Sequence, residues 1–379
     1  MRVGLNLLHA RPEIGGGWNY IANLVGTLRL MDCDWEFVAY CTRISAEIVP
    51  DDPRFKVKIV HLGGSSQIAR VVYEQCILPF LAYRDKVNCI HWFANNISLL
   101  GLVPSVVTIY DFKYNDRPDE GSPAKRLYLR NMMRFACERA DTLAPMSEAT
   151  AEAAIRLFGI DRQRIYVVTN PIDDMFYPAL FEEVREFRER FKLPPQFWLY
   201  VAHPYPHKNH IRLFAAYKRF RETSHCLWPL VLRGDRSKGD EKLDIALSDL
   251  GISEAVIWLP RLSSEDMARL YSSATAMIFP SLYEGCGIPI LEAMACGCPV
   301  VASDISTTKE FAGDAALMFD ASSVEAISAA MHHFTDYPQL RESYVAKGYI
   351  KSKQYSSANV AVKLLAAYKN AVPSGRRNH

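Results

Sequence analysis

Two glutamates stand on either side of a glycine-rich turn in residues 279–302, which read FPSLYEGCGIPILEAMACGCPVVA. Glu284 precedes the turn and Glu292 follows it, with Gly285 and Gly287 between them. Glycine lets a ligand approach the main chain closely, and the first N–H groups of a helix have no partners within that helix. Because a helix N-terminus also carries partial positive charge, the arrangement suits a ligand with hydroxyls at one end and a diphosphate in the middle.

The segments around this turn follow the order of a parallel α/β sheet. Residues 275–279 are short, apolar and partly β-branched, which predicts a buried strand. Pro289 suits the first turn of a helix that Gly297 then ends, and residues 300–302 form the next strand. The succession of strand, glycine-rich turn, helix and strand predicts a Rossmann-like unit.

The turn by itself leaves other kinds of protein open. A plain βαβ crossover with two solvated glutamates explains a lone Gly-x-Gly near a helix. A glycosidase would use Glu284 and Glu292 as its two carboxylates and would hydrolyse simple glycosides. We interpret them instead as two hydroxyl acceptors, because they lie too far apart to share a proton. A dinucleotide enzyme is disfavoured, because Gly15-Gly16-Gly17 lacks the GxGxxG spacing.

Composition indicates a soluble globular protein. The 379 residues predict roughly two to three domains, and 49% hydrophobic with 23% charged residues is ordinary. A net charge of +2 gives no argument for nucleic acid. The nine cysteines are scattered, and Cys296-x-Cys298 lacks the further ligands of a zinc site, so we expect reduced thiols and a cytoplasmic protein without metal. We expect no signal peptide and no spanning helix, since no apolar run approaches roughly 18 residues.

Strand patterns recur in two sets along the chain. A charged stretch bracketed by prolines, from Pro171 to Pro195, separates them and is the best domain linker. The last helical pattern, in residues 355–372, carries a single apolar stripe. The strand patterns cover residues 3–8, 36–40, 57–61, 89–92, 106–109, 142–144, 165–168, 198–202, 230–233, 256–258, 276–279 and 299–302.

A basic helical pattern lies in residues 125–139. Arg126, Arg130 and Arg134 share one face through their four-residue spacing. Such a face can bind an anionic membrane surface, which would make the protein peripheral to the membrane. We favour a solvated face of a domain helix.

Residues 279–302 closely resemble the signature of the family 4 retaining glycosyltransferases. The resemblance implies the α/β GT-B fold, with two Rossmann-like domains facing a cleft, at residues 1–175 and 176–353, and a final helix at 354–372 that crosses back to the first domain. It places Glu284 against the donor sugar, as a catalytic residue, and Glu292 on the nucleotide ribose. The donor diphosphate is expected at the N–H groups around Gly287 and Ile288, beside Gly285 and Cys286.

The rest of the second half resembles the same family. Residues 200–210, YVAHPYPHKNH, match the segment that opens the second domain, where Lys208 corresponds to the lysine that neutralises the diphosphate. His207 stands where the family usually has arginine, and Arg233 is the candidate replacement. Glu310 corresponds to a glutamate near the nucleotide.

The first half adds candidates for the donor and the acceptor. Residues 13–19, EIGGGWN, resemble the loop whose glycines, here Gly16 and Gly17, cover the donor phosphates and the acceptor. Residues 106–111, VVTIYD, resemble a strand that normally ends in His-Asp. Tyr110 takes the place of that histidine near the donor sugar, and Asp111 keeps the aspartate as a catalytic candidate. Tyrosine can still donate a hydrogen bond but does not become a cation near neutral pH.

The resemblance implies transfer of a hexosyl unit from a nucleotide diphosphate sugar with retained anomeric configuration and no bound metal. The run through Tyr73-Glu74-Gln75 looks most like bacterial surface-polysaccharide mannosyltransferases. GDP-mannose is therefore the favoured donor, a UDP-hexose the second, and a glycan or lipid-linked glycan the acceptor, at the inner face of the membrane. The alternatives are a GT-B sugar-nucleotide epimerase, which needs no acceptor, and a non-catalytic nucleotide-sugar-binding protein.

Overall fold

The structure, a computed structural model, describes residues 1–12, 16–62, 67–113, 123–235 and 240–372 of the chain. It forms two compact units. Unit 1 comprises Met1–Pro171 with Ser356–His379, and unit 2 comprises Ile172–Tyr355. The chain therefore passes between units at Pro171 and Tyr355, where the sequence placed the boundaries after residues 175 and 353.

Unit 1 is built on a six-stranded parallel sheet in the order β3-β2-β1-β4-β5-β6. Its central strands are buried along their whole length, as expected for a parallel sheet covered on both faces. The edge strand β3 instead exposes Lys56 and pairs Lys58 with Asp85, which discourages pairing with another chain. The strands are β1 Arg2–Asn6, β2 Glu36–Cys41, β3 Phe55–Ile59, β4 Cys89–Trp92, β5 Ser105–Ile109 and β6 Thr142–Pro145.

The helices of unit 1 include one from the end of the chain. Tyr368 of that last helix is fully buried, and its hydroxyl lies 2.8 Å from Nδ1 of His91 on β4. Asn370 Nδ2 donates to Thr142 Oγ1 at 3.0 Å, so the predicted tail helix is part of unit 1. The helices are α1 Gly16–Thr27, α2 Gln67–Cys76, α3 Leu78–Arg84, α4 Pro123–Arg139, α5 Glu148–Phe158 and, at the end of the chain, α14 Ser357–Ala371.

Unit 2 repeats the design with a parallel sheet in the order β12-β11-β10-β7-β8-β9. Apolar side chains from the strands and their helices form one core around Trp198 and Phe279. The strands are β7 Trp198–Val201, β8 Leu230–Arg233, β9 Val256–Leu259, β10 Ala276–Phe279, β11 Val300–Ser303 and β12 Ala316–Phe319. The helices are α6 Phe181–Phe191, α7 His210–Thr223, α8 Asp240–Asp249, α9 Ser264–Ser273, α10 Ile288–Ala295, α11 Ser306–Ala312, α12 Val324–Asp336 and α13 Gln339–Lys353.

One strand prediction was wrong, and one strand was not predicted. Residues 165–168 form only an isolated bridge between Leu143 and Ile165, although Tyr166 N–H donates to Leu143 O at 2.9 Å. The strand Ala316–Phe319 was missed, because alanine, leucine and methionine are strong helix formers and gave it no strand signature. It pairs with β11 from Val300 onward and supplies the edge of the sheet.

Each sheet has one place where the strand order reverses. In unit 1 the chain builds β2 and β3 on one side of β1 and then crosses to β4 on the other. In unit 2 it builds β8 and β9 on one side of β7 and then crosses to β10. Open parallel sheets bind ligands outside the carboxyl ends of the strands at such a switch point. The fold therefore indicates one ligand edge in each unit, between β1 and β4 and between β7 and β10.

The basic helix α4 buries Met133, Ala136 and Cys137 and turns arginines outward. Arg130 is exposed, and Arg134 Nε donates to Glu138 Oε1 at 2.7 Å on the solvent side. The side chain of Arg126 lies outside the described part of the chain. Among the described helices, none is long and apolar enough to cross a membrane.

Candidate active site

A lysine and a glutamate meet at the switch point of unit 2. Lys208 ends the short 3₁₀ helix Pro206–Lys208 that follows β7, and Glu284 follows β10. Lys208 Nζ lies 2.6 Å from Glu284 Oε1, with side-chain exposures of 18% and 7%. The ammonium also lies 5.8 Å from the centre of the Phe279 ring. A charge pair this well shielded from water holds both groups in one place at the edge where a ligand is expected.

Hydrogen bonds to the main chain fix this pair. Tyr200 on β7 donates its hydroxyl hydrogen to Lys208 O at 2.5 Å, and Thr307 Oγ1 on α11 donates to Glu284 O at 2.8 Å. Asn209 adopts a left-handed backbone conformation with φ of 64°, which asparagine tolerates better than most residues. Its Nδ2 donates to Pro280 O at 3.0 Å and Ala321 O at 2.8 Å, so it joins the loops that follow β10 and β12.

The glycine-rich turn begins helix α10, with Gly287 as the N-cap residue and proline in the first turn, as predicted. A Cβ added to Gly287 would lie 3.2 Å from Ile290 Cδ1, so the turn packs against its own helix. The Gly287 N–H donates to no protein acceptor in the described part of the chain. The Ile288 N–H donates to Cys286 O at 3.0 Å, so a diphosphate bound at this turn would compete with that carbonyl oxygen.

Glu292 lies within α10 and is held by a tyrosine that the sequence did not single out. Tyr271 on α9 donates its hydroxyl hydrogen to Glu292 Oε2 at 2.8 Å. Burial raises the pKa of Glu292 to about 7, the Tyr271 hydrogen bond opposes the rise, and the charge of Asp173 adds to it. This carboxyl group therefore changes charge near neutral pH. Its other oxygen, Oε1, accepts no hydrogen bond from any described residue, so it is available to a ligand hydroxyl.

Arg233 ends β8 beside the same switch point. It pairs in register with Val201, and its carbonyl oxygen accepts a hydrogen bond from Ala202 N at 2.9 Å. Its Nε is shielded from solvent and has no partner among the described residues. Burial lowers the pKa of Arg233, and the charge of Arg261 lowers it further. An arginine in that position would gain from an anion that supplies the missing acceptor.

Two further predicted residues of unit 2 lie near this edge in different settings. His207 precedes Lys208, is 9% exposed, and its ring is parallel to that of Tyr205 with centres 5.8 Å apart. Its carbonyl oxygen accepts a hydrogen bond from Leu282 N at 2.8 Å. Glu310 is half-buried on α11, and its carbonyl oxygen accepts a 3.5 Å hydrogen bond from the Tyr355 hydroxyl.

The predicted residues of unit 1 lie on α1 and after β5. Gly16 and Gly17 are the first residues of α1. Tyr110 N–H donates to Asn95 Oδ1 at 2.8 Å, and its ring meets that of Tyr20 edge-on at 5.4 Å. The Tyr110 hydroxyl is shielded from solvent without a hydrogen-bond partner among the described residues, and burial raises its pKa well above the ordinary value.

Asp111, the remaining candidate in unit 1, accepts a hydrogen bond from the Lys113 main-chain N–H at 3.0 Å. Its carboxylate therefore shapes the loop after β5. Within unit 2, Lys208 and Glu284 follow the carboxyl ends of β7 and β10, and Arg233 is the last residue of β8 on the other side of β7. The sequence did not predict the roles of Tyr271, Thr307 and Asn209. Only Asn209 carried a signal, since asparagine favours left-handed turns.

No group of three or more His, Cys, Asp or Glu side chains is placed to hold a metal ion within the described ranges. None of the nine cysteines, all of them in the described ranges, forms a disulfide, and Cys296 and Cys298 are buried.

Comparison with known proteins covers both units. The family described as "Glycosyltransferase Family 4" matches residues 14–176, and "Glycosyl transferases group 1" matches residues 182–351. The "O-antigen chain mannosyltransferase B" of Escherichia coli is 30% identical over 290 residues, which cover 76% of each chain.

Two further comparisons differ in what they cover. The "Serotype-specific mannosyltransferase WbdA" of Escherichia coli is 29% identical over 244 residues, but the match spans 62% of this chain and only 29% of that protein. HepE of Anabaena, solved in complex with UDP-glucose, has a TM-score of 0.76 at 16% identity and covers 97% of this chain and 99% of its own. Two parallel six-stranded sheets and these matches identify the chain as a member of the family 4 glycosyltransferases, with the GT-B fold.

Proposed function

We propose that the protein transfers a mannosyl unit from GDP-mannose, with retained anomeric configuration, to a glycan or lipid-linked glycan of a surface polysaccharide. The observation that carries the proposal is the shielded Lys208–Glu284 pair, with Nζ and Oε1 2.6 Å apart, at the switch point of unit 2. The similarity to the O-antigen chain mannosyltransferase B of Escherichia coli supports the sugar and the polysaccharide. Nine cysteines without a disulfide suit a reducing cytoplasm.

The chemical difficulty is the departure of a diphosphate while positive charge develops on the sugar ring. Lys208, Arg233 and the Gly287 N–H are three donors that would stabilise the negative charge on the leaving oxygen. Donors held in place before the reaction are usually the largest catalytic contribution, because they need no rearrangement when charge develops. Because Lys208 and Arg233 would supply positive charge at the leaving group, the proposed reaction requires no metal ion.

The two glutamates would bind opposite ends of the donor. Glu284 is fixed by Lys208 and by the bond from Thr307 to its carbonyl, and its carboxylate would accept hydroxyls of the sugar. Glu292 would accept ribose hydroxyls through Oε1 while Tyr271 holds Oε2. Tyr110 would donate its unpaired hydroxyl hydrogen to a ligand oxygen near unit 1.

Retention of configuration would follow from attack on the face that the diphosphate leaves. The acceptor oxygen forms a bond to the anomeric carbon as the bond from that carbon to the phosphate oxygen breaks. The acceptor proton passes to the departing phosphate oxygen. The protein would bind and orient the two substrates and stabilise the developing charge, and no covalent intermediate would form.

Affinity for GDP-mannose is expected to rise as the pH rises through about 7, because burial places the pKa of Glu292 there and the carboxylate accepts hydroxyls better than the neutral acid. Glu292→Gln keeps the shape and loses the titration, so its affinity should be flat over the same range. Calorimetry across this range checks both, and GDP-mannose avoids the terminal phosphate that titrates in GDP. If the affinity for GDP-mannose changes equally with pH in the wild type and in Glu292→Gln, Glu292 does not bind the ribose.

The raised pKa of Glu292 also affects the free energy of unfolding. The fold prefers the protonated carboxyl group, so the free energy of unfolding should fall as the pH rises from the ordinary 4.5 to about 7. Glu292→Gln should remove this contribution.

A thermal-shift screen against GDP, UDP and their sugars tests the proposal as a whole. GDP and GDP-mannose should raise the melting temperature of the wild type, and Glu292→Ala should reduce that shift. If only UDP and a UDP-hexose stabilise the wild type, the donor is a UDP-hexose and the reaction class is unchanged. If no nucleotide stabilises the wild type, the transferase account of this site fails.

A further inference from the structure

Four buried polar side chains form a continuous hydrogen-bonded network across unit 1. The hydroxyl of Tyr368 on α14 lies 2.8 Å from Nδ1 of His91 on β4, and Nε2 of that ring lies 2.9 Å from Thr108 Oγ1 on β5. The hydroxyl of Tyr20 on α1 lies 3.3 Å from the same threonine oxygen. Each of the four side chains is at most 1% exposed. This set, the His91 network, connects the last helix to α1 through two strands of the sheet.

The direction of the hydrogen bonds follows from a count of the hydrogens. Burial lowers the pKa of His91 to about 3, so its ring is neutral at pH 7 and carries one N–H. If that hydrogen were on Nδ1, the buried hydroxyl hydrogen of Tyr368 would have no acceptor among the described residues. We therefore assign Tyr368 as the donor to Nδ1 and place the ring hydrogen on Nε2, which donates to Thr108. Thr108 in turn donates to Tyr20.

The Tyr20 end of the network reaches residues that the donor is expected to contact. Tyr20 lies one helical turn after Gly17, on the same side of α1. Its ring meets that of Tyr110 edge-on, at 88° with centres 5.4 Å apart. Thr108 lies near the carboxyl end of β5, two residues before Tyr110, and Tyr20 contacts both. Tyr20 therefore holds the start of α1 against the end of β5.

Stability alone gives little reason for a polar network in this place. Apolar side chains of the same shape can replace a buried hydrogen-bonded pair at almost no cost in stability. A buried network in which every member is satisfied instead fixes its members in one arrangement. In the His91 network this arrangement joins three separate parts of unit 1, namely α14, the two strands and α1. What the network adds is therefore a defined position for α1 and for the residues after β5.

We propose that His91 is a positioning residue for the transfer reaction. In the Nε2–H form that Tyr368 fixes, it holds Tyr110 and the start of α1, through the network, where the donor requires them. The inference rests on the proposed function, in which Tyr110 donates to a ligand oxygen, and on the family resemblance that expects the glycines of α1 at the donor phosphates. A displacement of about 1 Å in such groups can cost on the order of a hundredfold in rate, even when the substitution is far from the chemistry.

The tautomer of His91 can be measured directly in the full chain. The protein is labelled with ¹⁵N-histidine, and the His91 signals are identified by their loss in His91→Gln. At pH 7 the Nε2 signal should be that of a protonated nitrogen and the Nδ1 signal that of an unprotonated one. A hydrogen on Nδ1 would reverse the direction of the network and overturn the proposal.

Two substitutions remove one hydroxyl each from the network and leave the side-chain volume almost unchanged. Tyr368→Phe and Thr108→Val should each lower the rate of GDP release from saturating GDP-mannose about tenfold. The double variant should lose about as much as either single variant, because residues that act as a unit have non-additive effects. Binding of GDP, measured by calorimetry on the same samples, should change little, because the residues assigned to GDP lie in unit 2.

Tyr217→Phe is the matched control for Tyr368→Phe. Tyr217 is also fully buried, and its hydroxyl donates at 2.8 Å to Trp228 O, which precedes the amino end of β8. This variant loses a comparable hydrogen bond and should keep the wild-type rate of GDP release. If Tyr368→Phe loses no more rate than Tyr217→Phe, or if the losses in Tyr368→Phe and Thr108→Val multiply in the double variant, the network does not position the site.

A conservative substitution of His91 itself separates positioning from packing. His91→Gln should keep most of the rate, because an amide offers one acceptor and one donor as the neutral ring does. His91→Leu offers neither and should lose about as much rate as Tyr368→Phe. Equal losses in His91→Gln and His91→Leu would overturn the proposal. A wild type that releases no GDP from GDP-mannose would contradict the proposed function itself, whereas failure in the variants alone would leave that function intact.

Discussion

Replacing Lys208 by methionine should lower the rate of GDP release from GDP-mannose by a factor on the order of a hundred to a thousand. The ammonium is held 2.6 Å from Glu284 at the switch point of unit 2, in position to meet charge as it develops on the leaving diphosphate. Hydrolysis and transfer both require that departure, so GDP release with water as the acceptor is a sufficient assay. Removing one fixed donor typically costs that much even where other donors remain, because the charge on the leaving group is then less well stabilised.

Loss of Lys208 also leaves Glu284 shielded and unpaired, which should reduce the free energy of unfolding by about 3 kcal/mol. The double variant Lys208→Met with Glu284→Gln should recover most of that stability but not the rate. Lys218→Met is the matched control, since Lys218 forms a 3.8 Å pair with Glu222 at exposures of 39% and 60%. An unchanged rate in the folded Lys208→Met variant would exclude this lysine from the leaving-group site.

Replacing Gly234 by alanine should destabilise unit 2 and impair the same reaction. A Cβ at this position would lie 1.9 Å from Ala202 O, an atom of the main chain that cannot turn aside. The loops after β7 and β8 must separate, and Arg233 must move with them. Overpacking of this kind costs about 1–3 kcal/mol and occasionally more. Denaturant unfolding measures the loss of stability, and GDP release measures the displacement of Arg233.

Gly26→Ala provides the comparison for this variant. Gly26 lies within α1, and an added Cβ would meet nothing within 4 Å, so alanine should be neutral or stabilise the helix by up to about 1 kcal/mol. If Gly234→Ala unfolds at the same denaturant concentration as the wild type, the close approach of the two loops is wrong.

The segment around Glu284 and Glu292 could be predicted because its signals are local. A short apolar run predicts the buried strand Ala276–Phe279, and proline and glycine mark where α10 begins and ends. These features need no knowledge of the rest of the chain. The family resemblance then added roles that spacing alone could not supply, including that of Lys208.

Features that depend on distant parts of the chain could not be predicted. Ala316–Phe319 becomes a strand because β11 lies beside it, and its own residues favour a helix. Tyr271 lies on α9 and Glu292 on α10, so no residue spacing within one helix indicates their contact. The hydrogen bond from Ile288 N–H to Cys286 O depends on the exact form of the turn, which the spacing of its glycines does not specify.

The hydrogen bond between Asn6 and Glu74 shows the same limit. Asn6 and Glu74 are 68 positions apart, and the sheet order brings them together. The sequence indicated only that residues 73–75 resemble a mannosyltransferase segment.

Calorimetry with GDP and GMP shows whether Lys208 contacts the diphosphate of the donor. The two nucleotides differ only by the β-phosphate. We expect the wild type to bind GDP about tenfold or more tightly than GMP, and Lys208→Met to lose most of this preference while Arg233 and the Gly287 N–H keep a small part of it. Equal binding of GDP and GMP by the wild type, or the same preference in both proteins, would contradict it.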